Sequence, residues 1–411
     1  MKKNVAILLV LVMCLSMLSG CSKKSNPSTN GGQGETQKSA KTDVPVIKVP
    51  FTVMSALKDT KLVQDAVNKI MVKKAGAKIE LIPIEIANWQ NQMNLLLSGG
   101  SDSIDLFSSF YYNSISSMVG AGQIIPIDDL LKKYGSGITK NIDQSYLDCA
   151  KVNGKLYGVP AFNAYCAQVY FYVRTDLAKK ANVNLDNVKD WDSLTDAMIK
   201  LKKAYPDKTI IAGANQGYYT PVDVDYLGDI NLLGVLLDPT KSTKVSNYYE
   251  SDKFKTMLGY VKKWKNNKLF MADPLSSNQP SVDFIRNDKA LGQMGYIYNA
   301  VEDAKGMIGS VGKPMTGIGL TKPLATTKSV NNSTWHISSF CKNPDAAMRV
   351  LNVFYSDPDV ENLVVNGIKG KHYTVNKDGL CELLPGVKNT FSVDGWMPGL
   401  GTYWPNSSIS T

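Results

Sequence analysis

From residue 46 onward the apolar positions follow two periods in turn, one of two residues and one near 3.6, which mark strands and amphipathic helices. Ile47, Val49, Phe51 and Val53 alternate and predict a strand. Val63, Ala66, Val67, Ile70 and Met71 fall on the i, i+3, i+4, i+7, i+8 stripe of a helix. Ile79 and Leu81 open a second strand that ends at Pro83-Ile84. Trp89, Met93, Leu96 and Leu97 line another helix, entered at Asn88 and stopped by Gly99-Gly100. Asp105-Leu106-Phe107 is a short strand running into Ser108-Ser109-Phe110-Tyr111-Tyr112. Strand, helix, strand, helix, strand implies a parallel sheet with right-handed crossovers.

The pattern restarts after the turn Asn153-Gly154-Lys155. Val169 to Val173 predicts a strand with Tyr170 and Tyr172 on its second face. Leu194, Ala197, Met198 and Leu201 predict a helix ended by Pro206. Phe254, Met257, Leu258, Val261 and Trp264 predict another, capped near Ser251-Asp252. A later one opens at Asn343-Pro344, where a first-turn proline loses no hydrogen bond, and buries Ala347, Val350, Leu351 and Phe354. No repeat of solenoid period occurs.

The N-terminus follows neither period. Lys2 and Lys3 precede an apolar run, Val5 to Leu18, shorter than the roughly 17–25 residues of a membrane-spanning helix. Leu18-Ser19-Gly20-Cys21 resembles a bacterial lipobox, in which the Cys21 thiol is diacylated and the chain is cut before it. The alternative is an ordinary signal peptide or short anchor helix with an incidental cysteine. On the first reading residues 1–20 are a signal peptide. The mature chain, 411 − 20 = 391 residues, is then tethered by lipid to the outer face of a bacterial cell membrane. Residues 21–45 continue as a polar, flexible linker that buries too little to offset its entropy. About 365 residues remain to fold, beyond the roughly 250–300 at which one core tends to split, so two lobes are expected.

Apolar content of 44% with 20% charged residues is that of an ordinary globular chain. The net charge of +10 falls to +8 once Lys2 and Lys3 are removed, and the other lysines are interspersed with acids. With no basic stripe interleaved with aromatics, nucleic acid is not an expected partner. Cys149, Cys166, Cys341 and Cys381 match neither a redox pair nor a zinc spacing; either a disulfide or free thiols fits.

Catalytic motifs are missing from the sequence. His336 and His372 are the only histidines, and neither lies in a nucleophile or zinc-helix motif. Gly309-Ser310-Val311-Gly312-Lys313 resembles a phosphate loop, but Pro314 stands where Ser or Thr would hold magnesium. It reads as a glycine-rich turn. Asp357-Pro358-Asp359 lacks the glycine and closing glutamate of a calcium loop and reads as a helix stop and restart. No metal site and no cofactor are expected.

Aromatic residues carry the positive signal: 20 Tyr, 11 Phe and 6 Trp. Rings can cover the apolar faces of sugars while a few polar groups fix the hydroxyls. Trp89, Trp264 and Trp191 read as packing. Tyr111 and Tyr112 lie just past a strand's carboxyl end, where open α/β sheets bind ligands. Tyr165 and Tyr170 flank the entry to the second lobe. Tyr296 and Tyr298 sit in a glycine-flanked strand end, and Trp335 in a strand-like segment beside His336. Asp102 serves equally as a polar contact or a turn cap.

Three segments in order resemble the extracellular solute-binding lipoproteins of ABC sugar importers. They are Trp89 to Gly100 with Asp105-Leu106-Phe107; Gly122-Gln123-Ile124-Ile125-Pro126-Ile127-Asp128; and Asn153 to Pro160 followed by Arg174-Thr175-Asp176-Leu177. Asn366 to Tyr373, after Phe354-Tyr355-Ser356-Asp357-Pro358, resembles a subgroup with an extra C-terminal domain. Chains of that subgroup run on past the point where this one stops, which implies a product cut short. The resemblance implies a type II periplasmic-binding-protein-like fold, two α/β lobes with a hinge and an interlobe cleft. Lobe 1 would hold residues 46–158 and 324–366, and lobe 2 residues 163–318, with hinges at 159–162 and 319–323. Residues 367–411 would form a further crossing and an incomplete lobe 2 tail. It also implies a monomeric, non-enzymatic binder that closes on a carbohydrate, an oligosaccharide above all, and delivers it to ABC permease subunits. Binding of peptide or another envelope metabolite, an exported carbohydrate-active hydrolase and a surface adhesin are the alternatives.

Overall fold

The computed structural model describes residues 43–393 except 111, 162–164, 214–221, 229–231, 272–278, 298–299, 378, 388–389 and 392. The chain opens with β1 (Val46–Val53), α1 (Thr60–Ala75), β2 (Lys78–Glu85), α2 (Trp89–Leu96) and β3 (Leu106–Ser108). Short helices between residues 115 and 148 lead to β4 (Val159–Pro160) and then β5 (Cys166–Arg174). Next come α3 (Trp191–Ala204), β6 (Thr209–Ala212), the two-residue strands β7 (Asp225–Tyr226), β8 (Val235–Leu236) and β9 (Val245–Ser246), and α4 (Asp252–Asn266). The chain continues through β10 (Ala290–Ile297), α5 (Ala300–Val311), β11 (Met315–Gly319), β12 (Leu324–Ala325) and the one-turn α6 (Thr327–Val330). It ends in β13 (Thr334–Ile337), α7 (Pro344–Phe354), α8 (Pro358–Asn366) and the hairpin β14 (Tyr373–Val375) with β15 (Cys381–Leu383).

The helix stripes and caps follow local chemistry. Val63, Val67, Met71 and Ala75 are the buried face of α1, and Gly76 closes it at φ +59°, a left-handed turn that costs glycine little. The Ser251 side chain accepts from the Phe254 N–H to start α4, and Asp190 forms a capping box with Ser193 ahead of α3. Asp357 caps α8, the restart expected at Asp357-Pro358-Asp359.

Two separate cores result. In lobe 1, β1 and β2 pair in parallel from Val46↔Lys78 to Val53↔Glu85, while β13 inserts antiparallel between β3 and β4. The single parallel sheet expected there is instead a parallel pair, β1–β2, and a separate antiparallel sheet, β3–β13–β4, because β13 comes from a segment returning out of the other lobe. One cluster joins Ile47, Phe51, Met71, Trp89, Met93 and Phe107 to Trp335, Leu351 and Phe354. In lobe 2 the strand order is β11-β5-β10-β6, with β12 also on β5. Phe171 and Val173 face Met198, Leu201 and Trp264 on one side of this sheet; Tyr170 and Tyr172 face Ile285, Ala290 and Met315 on the other. Trp264 Nε1 donates to Thr195 Oγ1 at 2.8 Å, tying α4 to α3 inside the first of these layers.

Residues 367–393 do not pass into lobe 2 as expected. Phe391 and Val393 lie in the lobe 1 core. The Val393 N–H donates to Val365 O, and the Asp59 N–H, ahead of α1, donates to Thr390 O. Burial of these side chains decides the matter: the segment completes the first lobe. The four described cysteines, Cys149, Cys166, Cys341 and Cys381, are free thiols. Among the described residues no helix is long and apolar enough to cross a membrane.

Candidate functional site

The chain passes from lobe 1 to lobe 2 between β4 and β5, and back between β12 and β13. The aromatic residues singled out from the sequence divide around these two crossings. Tyr165, at the entry to β5, is half-buried, with its ring 4.5 Å from that of Tyr146. Its hydroxyl oxygen is buried with no hydrogen-bond partner among the described residues. Burial holds that phenol far above its ordinary pKa.

Tyr112 follows β3 on the lobe 1 side. Its hydroxyl donates to Asn94 Oδ1 at 2.9 Å and accepts from Gln123 Nε2 at 3.4 Å, and burial raises its pKa. Tyr296, near the end of β10, is the most open of these rings at 57% exposure. Tyr226, which sequence reading did not single out, is 9% exposed and buried with Val224, Val235 and Tyr248. Burial, together with the nearby Tyr248 and Tyr296 phenols, pushes Tyr226 up to about 12. The Lys328 ammonium lies 5.8 Å from the Tyr226 ring centroid. No periodic signal could have found Tyr226, since strands of two residues leave none.

Two expected contacts turn out to be core. Trp335 is 2% exposed and its ring lies 5.6 Å from Phe354, because β13 is an interior strand with α7 packed over it. Tyr170 is 7% exposed, its ring 4.1 Å from Tyr172. Gly295 pairs with it across the strands, and a Cβ there would come within 2.5 Å of the Tyr170 hydroxyl. The glycine thus admits a neighbouring tyrosine rather than a ligand. Asp102 is exposed in the turn before β3. Cys21, Tyr111 and Tyr298 lie outside the described residues.

Both histidines are buried in structural roles. His336 Nδ1 donates to Tyr157 O at 2.8 Å, and burial brings its pKa down to about 4, so it is neutral at pH 7. His372 Nδ1 accepts from the Ile368 N–H at 2.8 Å while its Nε2 faces Asp59 at 3.1 Å. Among the described residues no group of three His, Cys, Asp or Glu side chains could hold a metal ion. A separate concavity of about 660 Å³, lined by Tyr205, Lys208, Phe284 and Asp288, lies at the Thr209/Ala290 end of the lobe 2 sheet. The crossings meet that sheet at its other end, where Gln168 faces Ile297.

The described residues offer half-buried or exposed tyrosines on each side of the two crossings, Tyr112 and Tyr165 on one and Tyr296 on the other. The chain is 27% identical over 341 residues to a carbohydrate ABC transporter substrate-binding protein of Streptococcus pneumoniae, covering 81% of this chain and 67% of that one. It is also 27% identical to an arabinooligosaccharide-binding protein of Bacillus subtilis, over 49% of this chain and only 43% of that relative. The crystal structure of the N-glycan transport solute-binding protein of S. pneumoniae superposes with a TM-score of 0.74 at 22% identity, over 89% of this chain and 78% of that one. That likeness establishes the type II two-lobe fold. Residues 65–370, about three quarters of the sequence, match the family described as bacterial extracellular solute-binding protein, and the chain belongs to that family.

Proposed function

We propose that the protein captures a carbohydrate, an oligosaccharide, between its lobes outside the cytoplasm and hands it to the permease of an ABC importer. The observation that carries the reading is the set of rings at the crossings: Tyr112 and Tyr165 from one side and Tyr296 from the other. Open or half-buried tyrosines suit a ligand that has apolar faces and many hydroxyls. The unpartnered Tyr165 hydroxyl is suited to a sugar hydroxyl or a bridging water. Two relatives named for carbohydrate or arabinooligosaccharide binding support the class of ligand. In this reading no bond of the ligand is broken, the protein acts as a monomer, and Cys21 carries the lipid that keeps it at the membrane. Lobe 1 comprises residues 46–161 and 334–393, and lobe 2 residues 166–325.

Calorimetric titration of the soluble chain from residue 44, against panels of oligosaccharides and of short peptides, tests the proposal. Saturable binding of one oligosaccharide class with unchanged ligand recovered afterwards is the expected result. Binding of peptides alone, or release of shortened sugars, would overturn it. For the anchor, Cys21→Ala should abolish labelled-palmitate incorporation and leave the precursor uncut.

A further inference from the structure

The return crossing is gripped by both lobes. Its one-turn helix α6 already has its own capping box, Thr326 with Ser329. A second acceptor nevertheless sits on the same N-terminus. Asp225 of β7, 6% exposed, accepts at Oδ2 from the Thr327 N–H at 3.1 Å and from the Thr327 hydroxyl at 2.7 Å. Its Oδ1 accepts from the Lys328 N–H at 3.3 Å. Hydrogen bonds to an ionised carboxylate are roughly twice as strong as neutral ones. The Ser329 hydroxyl adds a bond to the Tyr165 carbonyl at the other crossing. On the far side of α6, Asn331 Nδ2 donates to the Cys149 carbonyl of lobe 1 at 2.6 Å, and β13 then enters the lobe 1 sheet.

These bonds fix α6 to lobe 2, while Asn331 and Ser333, whose hydroxyl lies 2.8 Å from that of Ser108 and whose carbonyl accepts from the Ala161 N–H, fix the chain just after it to lobe 1, so the change of lobe falls at the C-terminal end of α6. Asp225 is itself anchored in lobe 2, because Tyr226, the next residue, is buried with Val224, Val235 and Tyr248. We propose that Asp225 is a positioning residue that holds the return crossing to lobe 2. In this way it sets the interlobe angle, and with it the affinity for a ligand held between the lobes. The second half of this statement rests on the carbohydrate reading above; the first half does not.

The test uses the soluble chain carrying spin labels on non-natural residues at the exposed positions Lys69 in lobe 1 and Lys262 in lobe 2. Asp225→Ala is compared with Thr326→Ala, which breaks the helix's own cap but leaves the lobe 2 grip. Without ligand, Asp225→Ala should broaden or shift the interlobe distance distribution, and Thr326→Ala should leave it as in the parent. For the oligosaccharide that binds the parent, affinity should fall at least tenfold in Asp225→Ala and no more than threefold in Thr326→Ala. Thr327→Val, which deletes one of the three donors, should fall between them and serves if Asp225→Ala does not fold. A distance distribution in both Asp225→Ala and Thr327→Val that superposes on the parent's overturns the inference, as does an equal change in Thr326→Ala. If the parent binds no oligosaccharide, the carbohydrate reading fails, and the ligand-free distances still decide the role of Asp225.

Discussion

A side chain can meet a ligand only from a surface, and Tyr296 and Trp335 stand at opposite ends of that condition. Tyr296 is 57% exposed, so Tyr296→Ala should leave the melting temperature within about a degree. It should weaken oligosaccharide binding about tenfold, the loss expected when one ring contact near 1.4 kcal/mol is removed. Unchanged affinity in a calorimetric titration would remove Tyr296 from the site. Trp335→Ala should cost about 3–5 kcal/mol of stability, as large buried rings do, and lower the melting temperature of lobe 1. His336 supplies a pH dependence whose sign can be worked out. Its folded pKa of about 4 lies below the ordinary 6.5, so the unfolded chain binds the proton first. Stability then falls as pH drops below 6.5 and stops falling near 4, by roughly 3 kcal/mol in all. His336→Asn keeps an N–H for the Tyr157 carbonyl but cannot titrate. It should be less stable than the parent at pH 7 and lose less between pH 7 and 4.5. Parallel melting curves for the two at both pH values would contradict this.

At the scale of elements, period was a good guide to where strands and helices lie and a poor guide to what each face meets. The stripes of α1, α3 and α7 are the buried faces found, because a helix of this length needs one apolar side whatever covers it, whereas on α4 Met257 and Trp264 are buried and Leu258 is exposed. Strand β5 differs. Its alternation puts Tyr170 and Tyr172 on a second face and Tyr170 is expected at the ligand, yet the sheet is covered on both sides, and both rings fill the second layer. Which face is open depends on elements more than a hundred residues away, and no local pattern records that. The same holds for residues 367–393, whose few apolar positions carry no period but include Phe391, fully buried and 5.8 Å from the His372 ring. Phe391→Ala should destabilise by about 3–5 kcal/mol and act on lobe 1 alone. Hydrogen exchange should rise across α1, α8 and the β14–β15 hairpin and stay unchanged across β5 and β10. Faster exchange in the lobe 2 strands would instead return the segment to that lobe.

At the scale of the whole molecule, two lobes with separate cores and two crossings can reorient without disturbing either interior. Lobe 1 keeps its apolar contacts through α1, α7 and the C-terminal segment, and lobe 2 keeps its own on the two faces of the β5 sheet. The barrier to motion is then confined to the crossings. A ligand touching both lobes shifts their equilibrium only by as much as it binds the closed arrangement better than the open one. About 350 ordered residues packed as one sphere-like domain have a radius of gyration near 20 Å. A divided molecule lies above that figure when open and approaches it when closed. Small-angle scattering of the soluble chain should therefore give a radius that decreases on saturation with a bound oligosaccharide, with the long-distance tail of the pair distribution shortened. A ligand that contacts only one lobe would saturate the titration yet leave the radius unchanged. That outcome would confine the rings of Tyr112 and Tyr165 and that of Tyr296 to separate surfaces, and closure would then play no part in capture.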